Sequence, residues 1–97
     1  MILIMDINII VFIVNLFFLK MDKIKLIWDF MGPFGKDTAV HHEKHLREFF
    51  NFEKKKLFSS GTESVNESHH IAFAIILKED LEEIKIILKP NRGEIAD

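Results

Sequence analysis

The sequence predicts a small α+β domain, an antiparallel sheet with two helices on one of its faces. Three observations predict it. Segments that alternate at period two, Ile24–Phe30 and His69–Leu77, are interleaved with segments whose apolar residues return every three or four positions. Gly32-Pro33, Gly35 and Pro90 punctuate the joints between them. A hydrophobic content of 48% with ten phenylalanines gives 97 residues enough apolar surface for one core, which sets the chain apart from disordered sequences.

The chain divides into a hydrophobic extension, residues 1–20, and a single α+β domain over residues 21–97. Met1–Lys20 reads MILIMDINIIVFIVNLFFLK, with an apolar run from Ile9 to Leu19 broken by Asn15 and preceded by Asp6 and Asn8. A spanning helix takes about 20 predominantly apolar residues, so this run is barely long enough. A signal peptide has a positive n-region and small residues at its cleavage site; here stand Asp6 and Phe17-Phe18-Leu19-Lys20. Three readings stay open: an extended start ahead of a natural one at Met21-Asp22-Lys23, a membrane anchor, and a genuine part of the fold. The domain is expected in the cytoplasm. As an anchor, the run would be followed by Lys20, Lys23 and Lys25, which would keep the domain on the cytoplasmic side of the membrane.

Each later element has its own reason. Ile24–Phe30 sends Ile24, Leu26, Trp28 and Phe30 to a core face and Lys25, Ile27 and Asp29 to the other. Gly32, Pro33 and Gly35 break this strand, and Asp37 or Thr38 is the expected cap of the helix that follows. On that helix Ala39, Leu46, Phe49, Phe50 and Leu57 make one stripe, with His42 inside it, His45 on its margin and His41 pointing away with Glu48. Glu53-Lys54-Lys55-Lys56 is expected to close it, cations near a helix C-terminus being favourable.

Leu57–Ser64 reads as a weak second strand and Glu63–Ser68 as the turn or loop after it. His69–Leu77 is the strongest strand, apolar on both faces and therefore central. Glu79–Lys89 reads as the second helix, with Leu81, Ile84, Ile87 and Leu88 inward and Pro90 ending it. Glu94–Asp97 leaves room for a stub of a last strand.

The order β-α-β-β-α, with a possible final β, is that of the split βαβ, or ferredoxin-like, arrangement. Ile27 and one whole face of His69–Leu77 would then meet water, so a homodimer packed sheet against sheet is expected. Other partners are limited by composition. Net charge is −2 and the only cationic cluster is Lys54–Lys56, which leaves no footprint for nucleic acid. The absence of cysteine excludes a disulfide framework, a thiolate zinc site and a cysteine nucleophile. Without tyrosine, acid/base chemistry falls to His, Asp or Glu.

The first strand, His45-Leu46, and Leu57-Phe58-Ser59-Ser60-Gly61 leading into the second strand make the chain resemble the dimeric α+β barrel group, and more loosely its YCII-related branch. The resemblance covers Lys23 to about Lys89. It implies two sheets packed into a barrel, a pocket between sheet and helices, and a histidine and an acidic residue as acid/base partners. By residue type His45 matches that histidine and Asp29 is the candidate acid. The extra His41 and His42 and the short C-terminus depart from the pattern.

Read from the residues alone, His42, His45 and Asp29 are the candidate catalytic groups, lining a pocket at the sheet–helix junction. Burial lowers a histidine's pKa and a nearby carboxylate raises it, so such a set can be poised near neutral pH. The plainer reading of His42 is a buried neutral imidazole hydrogen-bonded to a carbonyl or carboxylate. His70 and Arg92 are the candidate ligand-binding residues, for a small molecule; His69 and His70 lie on opposite strand faces, so only one can reach a given pocket. His41 and His45 return to the same helix face, but nothing marks a third ligand and His42-Glu43-Lys44-His45 is one residue short of the H-E-x-x-H spacing. No metal and no cofactor is expected. Gly32–Gly35 is too short for a phosphate loop, and Trp28 reads as core. The leading expectation is a small dimerising or ligand-binding domain; the alternative is an acid/base enzyme acting on a small polar metabolite.

Overall fold

The computed structural model describes residues 6–13 and 22–96. Over residues 22–96 four strands and two α-helices follow in the order β1 (Lys23–Met31), α1 (Gly35–Phe52), β2 (Leu57–Asn66), β3 (His69–Leu77), α2 (Leu81–Leu88) and β4 (Arg92–Ala96). A 3-10 turn, Lys78–Asp80, leads into α2. The strands form one sheet in the order β2-β3-β1-β4, with each neighbouring pair antiparallel. It follows that α1 joins two parallel strands with β3 between them, and α2 joins two parallel strands with β1 between them. This α+β pattern is compatible with the ferredoxin-like arrangement.

The core lies between one sheet face and the helices. Leu26 and Trp28 of β1, Ala72, Ala74 and Ile76 of β3, Leu46 and Phe50 of α1, and Ile84 of α2 form it. The two alanines on the central strand leave room for bulkier side chains descending from α1. Trp28 is a core residue: its ring is buried and its Nε1–H donates to the Leu88 carbonyl at 2.8 Å, tying β1 to the end of α2.

Several element ends differ from expectation, each for a local reason. Helix α1 begins at Gly35 with Phe34 at the cap position, and neither Asp37 nor Thr38 caps it. The Thr38 hydroxyl instead donates to the Phe34 carbonyl at 2.8 Å. An early start is possible because Gly35 has no side chain: a Cβ there would stand 2.7 Å from the Phe30 carbonyl oxygen and 3.3 Å from the His70 ring. Helix α1 also stops at Phe52, so Lys54–Lys56 lie beyond its last turn, and Lys54 takes a left-handed φ of 55° that ends it. Leu57 consequently belongs to β2 and not to the helix stripe.

The loop expected over Glu63–Ser68 is mostly strand. β2 runs through Asn66, and Glu67-Ser68 make a two-residue turn in which the Asn66 side-chain oxygen accepts from the Ser68 N–H at 2.9 Å. As an edge strand, β2 is polar and irregular in register at two points, which protects it from pairing with another chain. The stub at the C-terminus is a true strand, β4 pairing with β1 from Lys23↔Ala96 to Ile27↔Arg92.

Residues 7–13 are helical and exposed, and the Asp6 side chain accepts from the Asn8 N–H at 2.8 Å. The rest of the hydrophobic extension, with the start or anchor expected there, lies outside the described residues. Among the described residues no helix is long and apolar enough to cross a membrane.

Candidate functional site

Period-two alternation sends Asp29 to the sheet face opposite Leu26 and Trp28, the face without helices. There it meets His69 of β3 and Arg92 of β4. His69 Nε2 lies 2.7 Å from Asp29 Oδ1; Arg92 donates from Nε to Oδ2 and from Nη2 to Oδ1, both at 3.2 Å. Antiparallel pairing explains the meeting: Asp29 is opposite Ile71, so His69 is its diagonal neighbour. Arg92 arrives through the turn after Pro90. Asn91 donates its N–H to the Ile27 carbonyl at 2.9 Å and accepts the Asp29 N–H on Oδ1 at 2.8 Å.

The hydrogen bonds from Arg92, then those from His69, hold the Asp29 carboxyl below its ordinary pKa of 3.8, and Asp29 raises that of Arg92. An ionised carboxylate only accepts, so the proton of the short contact sits on His69 Nε2. In its neutral form the ring presents its Nδ1 lone pair, as a general base requires. Beside this cluster Lys25 lies 3.4 Å from Glu63 and 4.0 Å from Glu94, with its ammonium 4.5 Å above the Phe73 ring. Beneath these charges run Ile27, Ile71, Phe73, Ile75 and Leu77. Ile27 and Ile71 are 2% and 4% exposed, so the single chain already shields the middle of a face expected to need a partner.

On the helix side stand His42 and His70. His70 is buried; its Nε2 faces the Glu67 carbonyl at 3.2 Å and its Nδ1 faces the Ser64 hydroxyl at 2.8 Å. A carbonyl only accepts, so Nε2 carries a proton, and with Ser64 on Nδ1 both ring nitrogens are engaged. His42 packs obliquely on Trp28 and Phe30, with ring centroids 5.1 and 5.3 Å apart. Burial, then the nearby His45 and His41, lower its pKa from 6.5. Its Nε2 is buried without the hydrogen-bond partner expected of it among the described residues. On the outer face of α1, His41 Nε2 and His45 Nε2 lie 2.9 Å apart, and His45 Nδ1 lies 3.4 Å from a Glu48 oxygen.

The structure therefore does not gather His42, His45 and Asp29 into one pocket. The sheet separates Asp29 from His42, and His45 turns outward to His41. Of the five candidates it joins Asp29 and Arg92, on the face opposite His70, and adds His69. The parity of Asp29 and His69 on facing strands was the available signal for that pair. Arg92 also borders a groove of about 330 Å³ between α2 and β4, lined with Ile24, Leu81, Lys85 and Ile95. Among the described residues no three His, Cys, Asp or Glu side chains converge as ligands of one ion. No family model, curated protein or solved structure matches the chain.

Proposed function

We propose that this chain is a small dimerising domain of the ferredoxin-like kind, with a second copy laid on the helix-free face of its sheet. The observation that carries this reading is the row Ile27, Ile71, Phe73, Ile75 and Leu77 on a face against which neither α1 nor α2 packs. A strand order of β4-β1-β3-β2, read from the other edge, supports the split βαβ assignment. Cross-strand charge pairs flank the row, and facing copies could exchange such partners across a two-fold axis. The test is light scattering of the full chain across concentrations, beside Ile75→Lys. A dimer that Ile75→Lys reduces to monomer is the expected result. A wild-type chain that stays monomeric to millimolar concentration ends this reading.

A second reading follows from the 2.7 Å Asp29–His69 contact. In it the same face holds a small polar metabolite, His69 serves as acid/base, Asp29 orients it and Arg92 receives an anionic group. Base and acid then sit on β3 and β1, away from His45 and His42. Histidine NMR during titration with small carboxylates tests it: the His69 ring should respond first, and a response confined to α1 histidines would refute it.

A further inference from the structure

We propose that His41 and His45 form a bidentate site for a divalent transition-metal ion of the zinc and copper class. Four residues of helix bring both rings to one face, and both side chains are exposed, so an ion has free access. Their Nε2 atoms are 2.9 Å apart. Two imidazole nitrogens bound to one ion at about 2.0–2.1 Å stand roughly 2.9–3.4 Å apart, from right-angle to tetrahedral coordination. The spacing of the two nitrogens already suits an ion, and binding needs the rings to turn so that both lone pairs aim at it in place of the imidazole–imidazole hydrogen bond.

Glu48 supplies a second, independent feature. Its carboxylate lies 3.4 Å from Nδ1 of His45, the nitrogen not facing His41. Metal-binding imidazoles commonly give their other N–H to a carboxylate, which leaves the ligating nitrogen with its lone pair free. Of the nearby cations on this helix, Arg47 pairs with Glu43, and Lys44, one turn before Glu48, forms no ion pair with it. Because no third side chain converges among the described residues, the remaining coordination positions belong to water or to an added ligand. That composition suits an exchangeable ion, not a structural one.

The test uses the untagged full chain, Zn²⁺ in calorimetry and Cu²⁺ in electron paramagnetic resonance. One ion per chain and coupling to two imidazole nitrogens are expected. Glu48→Gln should weaken Zn²⁺ binding by about tenfold, and His41→Ala and His45→Ala should each weaken it by more. His69→Ala should leave it unchanged. In the wild-type chain, the first histidine NMR signals broadened by Cu²⁺ should be those of His41 and His45, a readout that needs no variant to fold. Broadening that begins at His69, binding that survives the double substitution, or no saturable binding below millimolar ion would each overturn the site.

Discussion

The two faces of the sheet solve the same problem with different chemistry. On the helix face, Leu26, Trp28, Ala72, Ala74 and Ile76 meet side chains from α1 and α2, and the polar group at its edge, His70, is closed off by Ser64 and Glu67. On the other face, Ile27 and Ile71 are equally dry, but their cover is a set of cross-strand charge pairs: Asp29 with His69 and Arg92, Lys25 with Glu63 and Glu94. The first cover is fixed by packing and is indifferent to salt. The second depends on ionisation and can be exchanged for equivalent groups of another molecule. Low exposure alone therefore does not mark a finished core; what does the covering decides whether a face can still bind.

The largest test sets Phe50→Ala against Phe73→Ala. Phe50 is fully buried beneath α1, and its loss should cost about 3–5 kcal/mol in urea unfolding. Phe73 is half-buried under the Lys25 ammonium, and at high dilution its loss should cost clearly less. If the two substitutions cost the same in dilute solution, the contrast between the faces is wrong. A Phe73→Ala penalty that grows with protein concentration would instead sharpen it, since that is how an interface residue behaves.

The next test belongs to the helix face. His42 has a folded pKa below 6.5, chiefly because its ring is buried. The unfolded chain takes up its proton near 6.5 and the folded chain only at lower pH. The stability associated with a neutral His42 is therefore complete above 6.5 and declines as pH falls toward the folded value. Unfolding midpoints at pH 7.5 and 5.5 should show this decline, and His42→Phe should flatten that part of the profile. An unchanged slope would mean the ring is not held neutral by the core.

The smallest effect is expected at Asp29. With its folded pKa below 3.8, the stability it contributes is present above that value and lost as pH falls through the folded one. Arg92→Gln should move the carboxyl midpoint of Asp29 upward in NMR titration, and more so at low salt, because the guanidinium is half-exposed. A midpoint that does not move would remove Arg92 from the account of this cluster.

Much of this was legible in the residues, and the exceptions have physical causes. The alternation of Ile24–Phe30 and the doubly apolar His69–Leu77 disclosed the two central strands, and Trp28 declared itself as core. Parity assigns a side chain to a face but does not say where along the neighbouring strand it stands. Without the register Asp29↔Ile71, His69 could not be matched to Asp29. The end of α1 was obscured because Glu53–Lys56 is good helix-forming sequence, and only the left-handed Lys54 shows that the chain turns away. β2 looked weak because its stability comes from pairing with β3 and not from its own Ser59-Ser60-Gly61. The outward turn of His45 depends on which margin of the stripe the sheet covers, which a helical wheel alone does not decide.

The position of β1 has a consequence for how the chain acquires its fold. It is the first strand among the described residues, yet both its neighbours, β3 and β4, come from the far half of the chain. As the polypeptide emerges during synthesis, Leu26, Ile27 and Trp28 stay without strand partners until β3 appears, and Asp29 stays without its guanidinium until Arg92 does. Such non-local closure slows folding and leaves an apolar strand with open edges in the meantime. The β2–β3 hairpin, closed by a two-residue turn, is the part that can form first and offer β1 an edge to join.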